Sequence, residues 1–387
     1  MQKKVIHIFD DDKFVDIAID LVENSPDQRF INTYIIVSDE LPLKYVKYQK
    51  VLIFKRCEFN ELVEYINLNS EYLIFHCLDF FKRSVALKTK SSIVKVWLLW
   101  GFELYSDWMI LKNSIYDRDT KNILNINETF KDKIFNHKNI FKIIKKYFPN
   151  QLYRKLYHND YLDSINTIHY ISPIIESEFE IATTINPNLK IIPFTYGYLE
   201  LFINEEEEKI VTEGNILIGN SADPSNNHIS IFKKLSKLDV SGRKIIVPLS
   251  YSGNAEYRDK IISLGYKLFG NNFMPLTSFM PLKEYNKLVF SCEFVFFNHI
   301  RQQALGNFII LGYNGAKIFF HPKNPVYKHF KKKGFNLFEI DNIINLRQKL
   351  SYKEVCKNQE ILYNEYNHEF IKNKISIFYN TLFDHHE

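Results

Sequence analysis

Short apolar runs alternate with helical patterns along almost the whole chain, and this alternation is the strongest constraint on its fold. Val5 to Phe9 reads as a strand ending in Asp10, Asp11, Asp12 and Lys13, after which Phe14, Ile17, Ala18 and Leu21 recur at helical spacing. Further strand runs fall at Tyr34 to Val37, Val51 to Phe54, Tyr72 to His76, Ile93 to Trp100, Thr167 to Ile171 and Leu189 to Pro193, with a helical pattern from Glu58 to Leu68. The second half repeats the rhythm, with strands at Ile216 to Ile218, Lys244 to Val247, Tyr266 to Phe269, Phe294 to Phe297 and Ile318 to Phe320. Helices are expected through Leu235, from Ala255 to Leu264, from Pro281 to Val289 and through Leu311. Strand and helix in strict alternation predict parallel sheets covered on both faces, with ligands beyond the carboxyl ends of the strands.

At 387 residues the chain is too long for one compact core. Two doubly wound domains are expected, 1–204 and 205–350, the second like a nucleotide-binding sheet, with a linker near Leu201 to Glu213. There Glu205 to Glu208 form a solvated run without apolar periodicity. The remaining segment, 351–387, reads as helix from Tyr352 to Phe383 and is expected to pack back toward the first domain.

A net charge of +5 without an Arg-rich block predicts no nucleic-acid partner, and favours anionic lipid or a sugar phosphate. No apolar run approaches the ~20 residues that cross a bilayer, and MQKKVIHIF runs straight into a strand, so a cytoplasmic location is expected. Cys57, Cys77, Cys292 and Cys356 lack CxxC spacing, which predicts reduced thiols and no zinc. Between Lys138 and Phe148, Ile140, Phe141, Ile144 and Phe148 share one helical face opposite Lys138, Lys142, Lys145 and Lys146, and Pro149 ends the pattern. Such a basic amphipathic helix fits a membrane surface, or equally the cover of a domain.

Several loops carry candidate chemistry. GNILIGNSADPSNNHISIF, Gly214 to Phe232, runs from a strand through Gly219 into a helix beginning near His228. It reads either as a phosphate cradle of backbone N–H groups or as an ordinary helix N-cap; neither GxxxxGK[ST] nor GxGxxG fits. Arg301 and Gln302 follow a strand, where a guanidinium fork is placed to meet phosphate. Asp10 to Asp12 suit metal binding, helix capping or proton acceptance, and His76 either a general base or a hydrogen-bonded structural role. In WLLWGFELY the two Trp are either core or, with Gly101, Glu103 and Tyr105, part of a sugar site.

GNSADPSNNHI, IIVPLSY, LGYKLFG, PLKEYNKLVFSCEFVFF, RQQALGN and FHPKNPVY, in this order and spacing, resemble the 4-acetamido-4,6-dideoxygalactose (Fuc4NAc) transferases of glycosyltransferase family 56. WLLWGFELY is similar to that family's W-x-x-WGxDLY, with Glu103 in place of the aspartate. The resemblance implies an α/β GT-B glycosyltransferase, two Rossmann-like doubly wound domains facing a central cleft. It implies transfer of a deoxyamino sugar from a dTDP-sugar donor to an undecaprenyl diphosphate-linked glycan in enterobacterial common antigen and surface polysaccharide assembly, by an enzyme peripheral on the cytoplasmic face of the inner membrane. By position, Gly219, Asn220, Ser221, Asn226 and His228 would hold the donor diphosphate, with Ser250, Tyr251 and Asn254 nearby and Arg301, Gln302, Gln303 and Gly306 opposite. No cofactor or metal is expected. If configuration inverts, Asp11, Asp12, His76 and Glu103 are the candidate proton acceptors; if it is retained, the leaving phosphate takes the proton. The rival readings are the same chemistry with another nucleotide sugar, a non-catalytic nucleotide-sugar or glycan binder, and a metal-dependent transferase using Asp10 to Asp12.

Overall fold

A computed structural model describes residues 2–25, 27–105, 115–126, 159–203 and 214–386. The basic stretch Lys138 to Phe148 and most of the Leu201 to Glu213 linker lie outside the described residues. Two compact units are present. Among the described residues the first holds 2–105, 159–198 and 368–386, and the second 115–126, 199–203 and 214–367.

The first unit is built on seven strands: β1 (Lys3–Asp10), β2 (Phe30–Val37), β3 (Leu52–Phe54), β4 (Tyr72–His76), β5 (Val94–Leu98), β6 (Tyr170–Ser172) and β7 (Lys190–Ile191). Their order is β3-β2-β1-β4-β5-β6-β7, and every pair is parallel. The central strands are buried on both faces, as expected for runs such as VIHIF and YLIFH with helices on either side. The helix His368–Phe383 belongs to this unit: Ile375, Phe378, Tyr379 and Leu382 pack among Val5, Phe30, Tyr72 and Val94. Tyr72 donates from its hydroxyl to the Leu382 carbonyl at 2.8 Å, fixing the end of that helix. The single carboxyl-terminal helix expected from the sequence is two, Tyr352–Tyr366 and His368–Phe383, broken at Asn367, whose backbone is extended. The first of these is capped by Ser351 and Glu354 reciprocally and stays with the second unit.

The second unit carries β8 (Asn215–Ile218), β9 (Ile245–Pro248), β10 (Phe273–Leu276), β11 (Cys292–Phe297), β12 (Lys317–Phe320) and β13 (Phe338–Glu339), in the order β10-β9-β8-β11-β12-β13, all parallel. One sequence expectation is overturned here. Tyr266 to Phe269 is not a strand but the last turn of the helix Ala255–Phe269, and the strand falls at Phe273–Leu276. A short apolar run between Gly265 and Gly270 mimics a buried strand. Gly265 instead lets the helix lie on the Phe273 ring, where a Cβ would overlap, and Gly270 ends the helix at φ +53. Pro275 is tolerated because β10 is an edge strand.

Candidate functional site

In the second unit the loops after β9, β8 and β11, three neighbours in the sheet, meet at its carboxyl edge. β8 ends at Gly219, which has φ +66 and donates its N–H to the Phe296 carbonyl at 2.9 Å. A Cβ there would overlap the Asn226 carboxamide oxygen and press on the His228 ring. Gly219→Ala is therefore expected to destabilise the protein by roughly 1–3 kcal/mol, from left-handed backbone strain and displacement of Asn226, read as a lower Tm.

The loop is held by its own amides. The Asn226 side-chain oxygen accepts from the Asn220 N–H at 3.0 Å and from His299 Nε2 at 2.7 Å, while its NH2 donates to the Ser221 hydroxyl and the Asp223 carbonyl. Asn227, left-handed at φ 51, donates to the carbonyls of Ile115, Ser225 and Asn298. The helix His228–Leu235 begins where the sequence predicts and has no side-chain cap, but it opens on buried residues, with Asp117 alongside, whose carboxylate accepts from the Ser230 hydroxyl and the Thr120 N–H. His228 is buried, bonded through Nδ1 to the Tyr257 hydroxyl at 3.2 Å, and desolvation lowers its pKa to about 3, so the ring is neutral. Asn226 and His228 thus shape the loop from within rather than lining an open cradle.

The open helix end lies elsewhere. Ala304, left-handed at φ 60, leads into the helix Leu305–Tyr313, which has no side-chain cap, and Gly306 is exposed with open space over its Cα. Its first-turn N–H groups carry the positive end of the helix toward that space. Beside it runs a continuous chain of polar side chains. Tyr251, nearly half exposed, is joined to Asn220 at 2.8 Å, Asn220 to Gln303 at 2.8 Å, and Gln303 to the Ser225 hydroxyl at 2.7 Å, which also accepts from Arg301 Nε at 3.2 Å. A terminal nitrogen of Arg301 donates to the Gln302 carbonyl. Asn254 caps the helix Ala255–Phe269, and Ser250 lies in the same loop as Tyr251. Asn220, Ser221, Tyr251, Arg301, Gln302 and Gln303 are therefore brought to one edge beside Gly306. Tyr257, Asp117 and His299 support the loop and were not legible in the sequence, since each is identified only by its partner.

In the first unit the four candidate proton acceptors have different fates. Asp11 accepts from the backbone N–H groups of Lys44, Tyr45 and Val46 and so staples a loop. His76 is buried with both ring nitrogens engaged, by His7 at 3.0 Å and Tyr196 at 2.8 Å. Glu103 is fully buried, accepting from the Trp97 indole at 3.0 Å and the Trp100 N–H at 2.9 Å. Asp12 differs. It is half-buried, one oxygen accepts from the Phe14 N–H at 3.1 Å, and its pKa is raised, chiefly by desolvation and further by Asp10 and Asp11, against the Phe14 N–H and Lys13. Asp10, Cys77 and Asp79 lie close enough together to suggest a cation site, but the buried Lys82 ammonium sits among them, paired with Asp10 and 3.5 Å from Cys77 Sγ and 3.4 Å from Asp79. Burial opposes that charge, yet the surrounding groups outweigh it and the Lys82 pKa is raised.

Glu103 has a buried neighbour, Glu178, whose carboxylate accepts from the N–H groups of Ile174 and Ile175. Desolvation, with Glu103 adding to it, raises Glu178 to about 8. The folded state therefore holds a proton that the unfolded chain releases near 4.5, and stability should fall as pH rises from about 4.5 to 8, by up to about 1.4 kcal/mol per pH unit. Glu178→Gln should flatten that fall, which urea titrations of both proteins at pH 5 and pH 8 would measure.

Comparison with known proteins places this geometry in a class. Solved structures of similar fold include Anabaena HepE in complex with UDP-glucose, at TM-score 0.65 and 11% identity over 98% of this chain and 99% of that one. Sucrose-phosphate synthase from Thermosynechococcus elongatus aligns at TM-score 0.64 and 7% identity over 99% and 100%. The trehalose-6-phosphate protein of E. coli, bound with UDP-2-fluoro glucose, aligns at 0.61 and 7% over 98% and 99%. The fold is GT-B, and the chain is a glycosyltransferase. Residues 195–377 match the family described as 4-alpha-L-fucosyltransferase glycosyl transferase group 56, the family its second half resembles in sequence. No helix among the described residues is long and apolar enough to cross a membrane.

Proposed function

We propose that the enzyme transfers a deoxyamino sugar of the Fuc4NAc kind from a dTDP-sugar to a polyprenyl diphosphate-linked glycan. The observation that carries this reading is the uncapped helix start at Leu305 to Asn307 next to Arg301, at the sheet edge where the family match lies. A helix end, backbone amides and a guanidinium stabilise the charge that gathers on a leaving diphosphate, and need no metal to do so. Nucleotide-sugar complexes of the structural neighbours support a donor of that class.

In this reading the diphosphate lies over Gly306, with Arg301, Gln302 and Gln303 on one side and Gly219 to Ser221 on the other, while Tyr251 and the Ser250 to Asn254 loop contact the nucleoside. The acceptor hydroxyl loses its proton to Asp12, since Asp11 and His76 are spent on other bonds and Glu103, although one of its oxygens has no partner, is fully buried. Inversion at the anomeric carbon follows from such a base. The Lys82 ammonium supplies the positive charge that the acidic cluster around Asp10 would otherwise seek from a cation, so a chelator should leave the rate within about twofold.

Incubation with dTDP-Fuc4NAc and an undecaprenyl diphosphate-linked acceptor should release dTDP. A panel of UDP- and GDP-sugars run beside it tests the base, and UDP-sugars are the second reading because HepE was solved with UDP-glucose. No turnover with any member of the panel would sink the proposal.

A further inference from the structure

The segments that follow β1, β5 and β7 bring three aromatic rings together at the carboxyl edge of the first sheet. Phe14 and Trp100 meet edge to face at 5.8 Å between centroids and Trp100 and Tyr196 at 5.6 Å, while Phe14 and Tyr196 are tilted at 6.0 Å. All three are half-buried, as is Asp12, whose carboxylate is bonded to the Phe14 N–H and near enough to Tyr196 to act on its phenol. Rings set nearly perpendicular, as Trp100 is to Phe14 and to Tyr196, expose both a face and an edge.

The Tyr196 hydroxyl is oriented from below. Asn32 Oδ1, an acceptor, lies 3.3 Å from His7 Nε2 and also takes the Tyr379 hydroxyl at 2.9 Å, so His7 carries a proton on Nε2. Desolvation lowers His7 to about 4 and His76 well below the usual imidazole range, so each ring is neutral and bears one proton. His7 Nδ1 must then accept from His76 Nε2, 3.0 Å away, and His76 Nδ1 must accept from the Tyr196 hydroxyl at 2.8 Å. The His76 ring is itself stacked on Phe9 with centroids 3.6 Å apart and has no room to turn. Every proton of the relay points inward. The Tyr196 oxygen consequently acts toward other groups only as an acceptor, with the Trp100 side chain as one donor to it.

We propose that Phe14, Trp100 and Tyr196 form a platform for one pyranose ring of the acceptor glycan, with the Tyr196 oxygen accepting a hydrogen bond from a ring hydroxyl beside the one that Asp12 deprotonates. This rests on the assignment of Asp12 as proton acceptor. The C–H face of the sugar lies on the Trp100 and Phe14 rings. Tyr196 is a specificity-determining contact, and His7 and His76 are positioning residues acting through it. A sugar bearing an ether or hydrogen in place of that hydroxyl leaves the Tyr196 oxygen without that donor and is discriminated against.

Saturation-transfer NMR with methyl β-glycosides of N-acetylglucosamine, N-acetylgalactosamine and mannose tests the platform without turnover. Wild type should show transfer to the ring C–H protons of at least one glycoside. Trp100→Ala should abolish it, and Phe14→Ala, an independent variant should Trp100→Ala fail to fold, should reduce it. Tyr196→Phe should weaken that glycoside about tenfold yet leave its deoxy analogue, lacking the contacted hydroxyl, bound as by wild type. Arg301→Ala, in the other unit, should leave saturation transfer to the glycosides as in wild type. Glycoside binding with this mutant pattern but no transfer from any nucleotide sugar would count against the transferase reading alone. Transfer from a nucleotide sugar with an acceptor KM unmoved by Trp100→Ala and Phe14→Ala would overturn the platform alone. Absence of saturation transfer to all three glycosides would overturn it as well.

Discussion

Replacing Asp12 by asparagine should lower the transfer rate by about 10²–10⁴-fold, the range that a positioned general base supplies. The substitution keeps the shape and the bond from the Phe14 N–H, and removes only the charge that takes the proton. Donor affinity should stay as it is, because the proposed donor loops belong to the other unit. Calorimetry with dTDP alongside initial rates separates the two effects. The wild-type rate should also depend on pH in a stated direction. Because burial foremost, with Asp10 and Asp11, raises the Asp12 pKa, activity falls as pH drops through a value above the usual aspartate range. That limb should vanish from the residual activity of Asp12→Asn. A variant with wild-type rates would mean that the leaving phosphate takes the proton and configuration is retained.

Arg301→Ala should cost about 10²–10³ in kcat, the effect of removing one donor from a developing oxyanion. Arg301 is buried among polar groups, its Nε on the Ser225 hydroxyl and a terminal nitrogen on the Gln302 carbonyl, so its fork is fixed before any ligand arrives. Lysine is expected to rescue poorly. An ammonium cannot hold Ser225 and reach a phosphate at once. Single-turnover rates and dTDP affinity would be measured for both variants. An Arg301→Ala enzyme with unchanged kcat would remove this residue from the mechanism and return attention to the Leu305 helix end alone.

The alternation of strand and helix was readable because burial on both faces leaves continuous apolar runs such as YLIFH and CEFVFF, which no surface helix tolerates. Where the reading failed, at Tyr266 to Phe269, a glycine admitted for its lack of a side chain looked like a turn; only the Phe273 ring lying against Gly265 explains it. The site was half legible. GNSADPSNNHI and RQQALGN marked a candidate ligand edge by their order and spacing, with the helix end of interest at His228. Tertiary burial moved it to Leu305: neither helix has a side-chain cap, but His228 and Ile229, which open the first, are buried, while Gly306 in the second is exposed.

The same division holds in the first unit. Sequence by itself determined that acidic and imidazole groups stand at strand ends, since those positions follow from the length of each apolar run. It could not rank Asp11, Asp12, His76 and Glu103, because a carboxylate or imidazole is free to react only if its atoms are neither claimed nor sealed from a substrate: Lys44 to Val46 claim Asp11, His7 with Tyr196 claims His76, and Glu103 is fully buried. Residues from β1, β2, β4 and the segment after β7 are far apart in the chain and adjacent only across the sheet. Pattern along a chain fixes which residues reach an edge; hydrogen bonding and burial in three dimensions decide which of them remains available.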